Sequence, residues 1–313
     1  MEQVVKKVTL SVEEPVEHRK VSKSRLHKHR KPKKSRQVKY VEIQPQRTVL
    51  WICDLEEVAN GLKQTAKSLV RPGYGILAAD DTLHQINTKL EELKLYPSNL
   101  NRFKFHELYL GKAIHVEDYI SAVLLRLETI TNDVLRGKKL VHMIWAHEIK
   151  LGVRLDEGVV SIAGTDGEFA SKGLDNLEMK LRMAKDFGAE FTMWRCVYKI
   201  SDFNPSRLAI RENSQTLARY AVMSQRMGLL PIVAVDVLPY GSHDEMLAQA
   251  SLKEILTSLV KTLTEHRAML EGMLVRVTAT SPGLCYQGPQ NLARVAACTA
   301  RALSQCLPPA LGG

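Results

Sequence analysis

The chain has 313 residues, 45% of them hydrophobic, and a formal net charge of +10 at pH 7. This length suits one main domain, since single barrels of roughly 250 residues are common, together with a tail. No stretch approaches the roughly 18 uninterrupted apolar residues of a membrane helix, so we expect a soluble, cytoplasmic protein without a membrane span.

The positive charge is concentrated at the beginning of the chain. Residues 1–50 hold 14 Lys and Arg against 5 Glu, which leaves a net charge of only +1 for all other residues. Residues 19–39 contain eleven Lys and Arg, no acidic residue and almost nothing apolar. Such a segment cannot bury a core and is expected to be disordered by itself. We therefore predict a basic extension over 1–50 and a folded domain over 51–313.

The basic extension is compatible with several roles. It could be a solvated tail without a specific partner, or residues 19–39 could bind an acidic protein or a nucleic acid through charge. Nuclear or cytoskeletal association are further alternatives. Recognition by base stacking is not supported, because the segment lacks interleaved aromatic residues.

From about residue 51, β-rich runs alternate with amphipathic helices that end at glycines. This alternation is typical of βαβ units and a parallel sheet. The sequence predicts six strands, at 75–79, 119–127, 152–156, 193–199, 231–236 and 273–277.

Helices between these strands have recognisable beginnings and faces. Asn204 and Pro205 predict the beginning of a helix that ends at Gly228. A second helix places apolar residues on one face, and a third ends at Gly188. The apolar face of the second helix comprises Leu252, Ile255, Leu256, Leu259, Val260 and Leu263.

The predicted fold class is α/β, of the (β/α)8 TIM-barrel type, and incomplete. A closed barrel of this type has eight strands, whereas we count six before the chain stops. The two open strand edges, like the outer helices, could pair with another chain and form a homo- or hetero-oligomer.

Six segments resemble, in order, the signature stretches of class I fructose-bisphosphate aldolases, over roughly 55–309. The first is Gly75-Ile-Leu-Ala-Ala-Asp80, and the others lie at 158–168, 194–200, 217–221, 230–233 and 270–272. The resemblance implies a (β/α)8 barrel with its site at the carboxyl ends of the strands. It also implies a reaction through an imine between a lysine and the substrate ketone, without metal or cofactor.

The resemblance also indicates which positions have changed. Arg276 occupies the position of the imine-forming lysine, and a guanidinium with a pKa above about 12 is not a usable nucleophile. Ala234 matches the acid/base glutamate, and Met193 matches a second lysine. The family's last two strands carry a Ser-Gly-Gly loop and an arginine that grip phosphate, and neither motif occurs in this chain.

Other positions of the family's site are kept or exchanged conservatively. Asp80 is kept, and Asp236 replaces a glutamate. Three cationic positions are candidate ligand-binding residues, namely Arg195, Arg154 and Lys89. We expect Asp80 and Arg195 to pair in the barrel mouth, and Arg276 either to pair with Asp80 or Asp236 or to bind an anion.

These substitutions predict a non-catalytic homologue that serves by binding. One rival is a divergent aldolase that has moved its amine to Lys199. Another is a chain that never folds stably. The pattern of residues contains no GxGxxG, P-loop or HExxH motif, and we expect no metal site.

Overall fold

A six-stranded parallel sheet organises the protein. The computed structural model describes residues 56–111 and 115–313, so the predicted basic extension over 1–50 lies outside the described residues. Neighbouring strands are parallel, and β1 and β8 lie at the two edges of the sheet. In sheet order the strands are β1 (Gly75–Ala79), β2 (Ile120–Arg126), β3 (Lys150–Arg154), β6 (Phe191–Tyr198), β7 (Leu230–Val237) and β8 (Leu274–Val277). The predicted incomplete barrel of the (β/α)8 type is confirmed.

Nine α-helices are present among the described residues. Helices precede or follow the strands, as a parallel sheet requires. None of the described helices is long and apolar enough to cross a membrane. The helices are α1 (Glu56–Leu69), α2 (Leu83–Glu92), α3 (Asn99–Leu110), α4 (Leu127–Thr131), α5 (Val134–Ala146), α6 (Leu177–Asp186), α7 (Arg207–Arg226), α8 (Glu245–Glu265) and α9 (Leu292–Cys306).

The strand predictions agree with the structure to within about two residues, and the first agrees fully. One feature was missed, a hairpin of β4 (Val159–Ser161) and β5 (Phe169–Ser171), which pair antiparallel outside the main sheet. These strands have three residues each. Strands this short carry too few residues to show an alternating pattern.

The predicted beginning of the long seventh helix was wrong. The helix begins at Arg207 and Ser206 caps it, because the Ala209 amide donates a hydrogen bond of 3.1 Å to the Ser206 hydroxyl. Asn204 lies before the helix, where its side-chain amide donates to the Asp166 carbonyl at 3.1 Å. Asn and Ser are both good cap residues, so the tertiary partner of Asn204 decided between them.

Residues of β6 alternate between the two faces of the sheet. Trp194, Cys196 and Tyr198 belong to the core between the sheet and the outer helices. Phe191 and Met193 belong to a second, inner core cluster. Leu62, Ala66 and Leu69 of α1 also lie in this inner cluster, so α1 fills part of the concave side of the sheet.

Two close approaches fix the position of strands in the sheet. Gly152 of β3 pairs with Phe191 of β6, and a Cβ atom at Gly152 would collide with the Phe191 ring. At the edge strand β8, the Val275 amide donates a hydrogen bond of 2.9 Å to the Gly313 carbonyl. This edge is therefore partly paired with the chain's own last described residues.

Candidate functional site

Charged residues gather at the carboxyl ends of the parallel strands. Because such ends meet at one edge of a sheet, side chains from distant parts of the chain come together there. The acidic residues are Asp80, Asp156 and Asp236, and the basic residues are Arg126, Arg154, Arg195 and Arg276.

Arg154 links two of the aspartates. Its Nε and Nη2 atoms donate to the two carboxylate oxygens of Asp156 at 2.7 and 2.9 Å, and its Nη1 atom donates to Asp80 at 2.7 Å. Burial lowers the pKa of the Arg154 guanidinium, but the hydrogen bonds and charges of Asp156 and Asp80 outweigh burial and raise it above its usual value. The hydrogen bonds to both carboxylates keep the guanidinium charged and fix its orientation.

Asp236 is the centre of a second ionic group. It accepts a short hydrogen bond from Arg195 Nε and one of 3.3 Å from the Thr278 hydroxyl. Arg276 Nη2 lies 3.7 Å from the same carboxylate. The two ionic groups are connected, because the Arg195 backbone amide donates to Asp156 at 3.2 Å.

Three site positions lie side by side in the sheet. Arg195, Ala234 and Arg276 are in register on β6, β7 and β8. Ala234 is fully buried, whereas 48% of the Arg276 side chain is exposed. Met193 lies two residues before Arg195 on β6 and is buried. Its sulfur lies 3.8 Å from Arg276 Nη1. Two arginines therefore flank an alanine at this level.

A cleft of about 600 Å³ opens at the strand ends, and Arg195 is the residue of this row that lines it. It lies between the strand ends, the beginning of α2 and the β4–β5 hairpin. Its lining includes Arg126, Arg154, Asp156, Arg195, Glu157, Glu128, Val159 and Phe169. The cleft is large enough for a small ligand.

The expected pairing of Asp80 with Arg195 was wrong. Asp80 follows β1, whereas Arg195 lies on β6, three places along the sheet. Arg154 on the intervening strand β3 reaches Asp80 first, and Arg195 meets Asp236 on the adjacent β7 instead. The expected salt bridge of Arg276 forms with Asp236.

Two lysines that the sequence singled out lie apart from this network. Lys89 pairs with Asp81, with a distance of 2.7 Å between Nζ and the carboxylate. Lys199 follows β6 and donates to the carboxylate and carbonyl oxygens of Asp166, each at 3.0 Å. Lys199 lines a different depression, together with Tyr240 and His243.

Sequence reasoning missed two residues of the network. Arg126 donates to the Asp156 carbonyl at 3.0 Å and pairs with Glu128 at 2.7 Å. Thr278 bonds Asp236 from the residue after β8. Arg126 had a usable signal, since a single cation ends the apolar run of β2. Thr278 had none, because a threonine after a strand is unremarkable.

This network of arginines and aspartates could bind a charged ligand, but it contains no amine that could act as a nucleophile. Three guanidiniums, of Arg154, Arg195 and Arg276, face the three carboxylates of Asp80, Asp156 and Asp236. Arg276 has the longest ion-pair distance and the most exposed side chain of these three arginines. Within 56–111 and 115–313, no group of three or more His, Cys, Asp or Glu side chains is arranged to hold a metal ion.

The fold and the site define a β/α-barrel protein with a charged cleft at the carboxyl ends of its parallel strands. The family model of class-I fructose-bisphosphate aldolase matches residues 61–313. The chain belongs to that family.

Individual relatives agree with this assignment. Rat fructose-bisphosphate aldolase C is 36% identical over 252 residues, which cover 80% of this chain and 69% of the relative. A fructose-bisphosphate aldolase of Schistosoma mansoni is 36% identical over 258 residues, covering 82% and 71%. The structure of Plasmodium falciparum aldolase, in complex with TRAP and a small-molecule inhibitor, superposes with a TM-score of 0.78 at 32% identity, covering 82% of this chain and 74% of that one.

Proposed function

We propose that this protein is a non-catalytic member of the class I fructose-bisphosphate aldolase family that serves by binding. The observation that carries the proposal is the row formed by Arg195, Ala234 and Arg276 on three adjacent strands. In this row an arginine and an alanine occupy the positions that the resemblance assigns to the imine-forming lysine and the acid/base glutamate.

The change at Arg276 removes the nucleophile of the family's reaction. An imine forms only when an amine loses its proton, and a lysine can do so because its pKa falls when it is desolvated. A guanidinium keeps its proton at any physiological pH. Arg276 forms an ion pair with Asp236 at 3.7 Å instead of offering a free amine.

The changes at Ala234 and Met193 remove two further groups. Proton transfer to and from the reacting carbon and oxygen atoms needs a positioned acid or base, and a methyl group supplies neither. Met193 is buried against the inner core, where a thioether packs well but carries no charge. The nucleophile, the proton carrier and a neighbouring cation are thus replaced together.

The rival function is a divergent aldolase that uses Lys199. Lys199 hydrogen-bonds to Asp166 and lines a depression that shares no residue with the cleft. Its hydrogen bonds to the Asp166 carboxylate and carbonyl hold the Lys199 amine outside the cleft. These contacts favour the non-catalytic alternative.

The test is trapping of an imine. The full chain is mixed with dihydroxyacetone phosphate and borohydride and its mass is measured, with rat aldolase C as the positive control. We expect an adduct on the control and none on this chain. An adduct on this chain would overturn the proposal, and loss of that adduct in Lys199→Gln would support the rival.

The binding role has two parts in this proposal. Residues 51–313 form the docking body, and residues 19–39 of the basic extension bind an acidic protein or a nucleic acid through charge. The eleven Lys and Arg in that segment support this part. We also propose a cytoplasmic location, with nuclear or cytoskeletal association through the extension.

The electrostatic part is tested by salt dependence. A fluorescent single-stranded RNA and a fluorescent polyglutamate peptide are titrated with the full chain at increasing salt, and with a variant whose Lys31, Lys33 and Lys34 are changed to Gln. Affinity should fall steeply with salt because bound counterions are released, and the variant should show a shallower slope. Binding that does not depend on salt would contradict this part.

A further inference from the structure

A depression separate from the cleft lies among the loops that follow β6, β7 and β8. It has a volume of about 560 Å³, which suits a small ligand. It shares no residue with the cleft. We call this feature the loop depression. Its lining includes Lys199, Asp202, Tyr240, His243, Asp244 and Tyr286.

Backbone hydrogen bonds tie two of these loops together. The Gly283 amide donates to the His243 carbonyl at 2.8 Å. The Cys285 amide donates to the Gly241 carbonyl at 2.9 Å. A Cβ atom at Gly283 would collide with the Gly241 carbonyl, so the two loops are in close contact. Walls that are held in this way lose little freedom when a ligand binds.

A buried histidine in the lining has an unsatisfied nitrogen. His243 is 6% exposed, and its Nδ1 atom has no hydrogen-bond partner among the described residues. Gly241 has a φ of +125°, and a Cβ atom there would lie 3.2 Å from this Nδ1 atom. The absence of a side chain at Gly241 therefore leaves space beside the nitrogen. A buried nitrogen without a partner costs stability, and a ligand that hydrogen-bonds to it removes that cost.

The lining of the loop depression has more carboxylates than cations. Asp202 and Asp244 are its carboxylates, and Lys199 is the one cation among its described residues. Lys199 already donates to the Asp166 carboxylate at 3.0 Å, so its ammonium group is not free for an anion. Arg207, the next cation along the chain, does not line the depression, and neither does Asp166. One positive and two negative charges give the lining a net charge of −1, and these two neighbours offset each other.

Both carboxylates of the lining can accept a further hydrogen bond. Asp202 is exposed and has no hydrogen bond or ion pair with a described residue. Asp244 Oδ1 accepts from the Leu247 amide at 2.8 Å to cap α8, which leaves Oδ2 for another donor. Burial lowers the pKa of His243, against the Ser281 carbonyl and the charge of Asp244, so the imidazole adds no positive charge at pH 7. The depression therefore attracts cations rather than anions.

Two tyrosine rings add aromatic surface to the loop depression. Tyr240 is 66% exposed, and Tyr286 is half-buried. A Cβ atom at Gly288 would collide with the Tyr286 ring, so this ring packs tightly on the backbone of its own loop. The face of a tyrosine ring is negative and attracts organic cations. Aromatic rings together with carboxylates are the combination that recognises such cations.

We propose that the loop depression binds a small organic cation with an ammonium group. The tyrosine rings and the carboxylates of Asp202 and Asp244 would bind the ammonium group, and a hydroxyl group of the ligand would hydrogen-bond to His243. A ligand that bears phosphate would be repelled by the carboxylates and would find no unpaired lysine. Because the depression shares no residue with the cleft, this binding does not depend on whether the cleft is catalytic.

The probes are choline and its neutral isostere 3,3-dimethylbutan-1-ol, which has the same shape without the charge. Each is titrated against the full chain and followed by ligand-observed NMR, with inorganic phosphate as an anionic probe. We expect choline to bind at least about tenfold more tightly than the neutral isostere. Equal binding of the two, no binding of choline, or tighter binding of phosphate would overturn the proposal.

A further probe distinguishes a small molecule from a protein side chain as the source of the cation. A hexapeptide with one trimethyllysine carries the same trimethylammonium group as choline. We expect it to bind no more tightly than choline. Clearly tighter binding of the peptide would overturn a small molecule as the ligand.

Variants at exposed positions locate the site. Asp202→Asn and Tyr240→Ala should each weaken choline binding about threefold or more, since each removes one attraction for the cation. The matched controls Asp186→Asn, on α6, and Tyr96→Ala, between α2 and α3, should leave it unchanged. Thermal unfolding checks that all four variants are folded. Unchanged choline binding in both site variants would refute a site in the loop depression.

The sign of the charge is tested at Lys199. Lys199→Gln removes the cation of the lining, so choline binding should tighten by about twofold. Weaker binding of choline in this variant would contradict an attraction between the depression and a cation.

Discussion

The guanidinium of Arg276 lies 3.7 Å from Asp236, a carboxylate that already accepts hydrogen bonds from Arg195 and Thr278. Asp236 on β7 therefore pairs with two arginines, one on each of the neighbouring strands β6 and β8. An aspartate in this setting stabilises any cation at position 276, whether guanidinium or ammonium. A lysine placed there would be held in its charged form.

The exchange Arg276→Lys alone should not create aldolase activity. The new amine would pair with Asp236, and Ala234 would still offer no proton carrier. Cleavage of fructose 1,6-bisphosphate is measured by a coupled assay, with borohydride trapping in parallel. The comparison is a triple variant that also carries Ala234→Glu and Met193→Lys, in which trapping should become detectable. Measurable cleavage by the single variant would contradict this prediction.

Removal of the Arg154 side chain should destabilise the fold strongly. Arg154→Ala would leave Asp156, whose side chain is 2% exposed, and Asp80 without their cation. Breaking such a buried pair costs about 3 kcal/mol of unfolding free energy. Urea unfolding measures the loss. Arg182→Ala, which removes an exposed pair with Glu178, should change stability by less than about 0.5 kcal/mol. Similar losses in the two variants would argue against the network.

The stability of the fold should depend on pH through His106. Burial lowers the pKa of this side chain from 6.5 to about 4, although the charge of Asp81 acts in the opposite direction. Below pH 6.5 the His106 side chain binds a proton in the unfolded chain but stays neutral in the folded chain. The free energy of unfolding therefore decreases as pH falls from 6.5 towards 4. His106 should contribute a loss of about 2 kcal/mol between pH 7 and pH 5.

Unfolding in urea at several pH values measures this contribution. His106→Gln keeps a hydrogen-bonding partner for the Tyr109 hydroxyl, which lies 2.6 Å from His106 Nδ1, but cannot titrate. Its stability should fall less between pH 7 and pH 5 than that of the unaltered protein. The control exchange is His142→Gln, at an exposed histidine of α5. An identical pH dependence in all three proteins would rule out the role of His106.

The cap of α7 gives a prediction of smaller size. Ser206→Ala removes the hydroxyl that accepts from the Ala209 amide, so unfolding should require about 1 kcal/mol less. Ser206→Asp retains an acceptor and should keep most of the stability. Thermal unfolding followed by circular dichroism compares the two. Equal stability of the alanine and aspartate variants would show that the cap contributes little.

Much of the fold was readable from the sequence because its elements have strong local patterns. The runs of β1 and β7 were predicted within two residues of their observed positions, and five of the six residues predicted for the apolar face of α8 are buried. The β4–β5 hairpin was missed because three-residue strands have no period to read. The beginning of α7 was misplaced because Asn204 and Ser206 are both suitable caps, and only the contact of Asn204 with Asp166 separates them.

The sequence by itself determined the chemistry available at position 276, because a guanidinium keeps its proton in any surroundings. It also determined the order of the six strands of the main sheet along the chain, since these follow local hydrophobic patterns. Tertiary structure decided which carboxylate each arginine meets. Arg154 separates Asp80 from Arg195 because β3 lies between β1 and β6, and Arg276 reaches Asp236 because β8 pairs with β7. Such partners depend on strand neighbourhood and register, which bring together residues far apart in the chain.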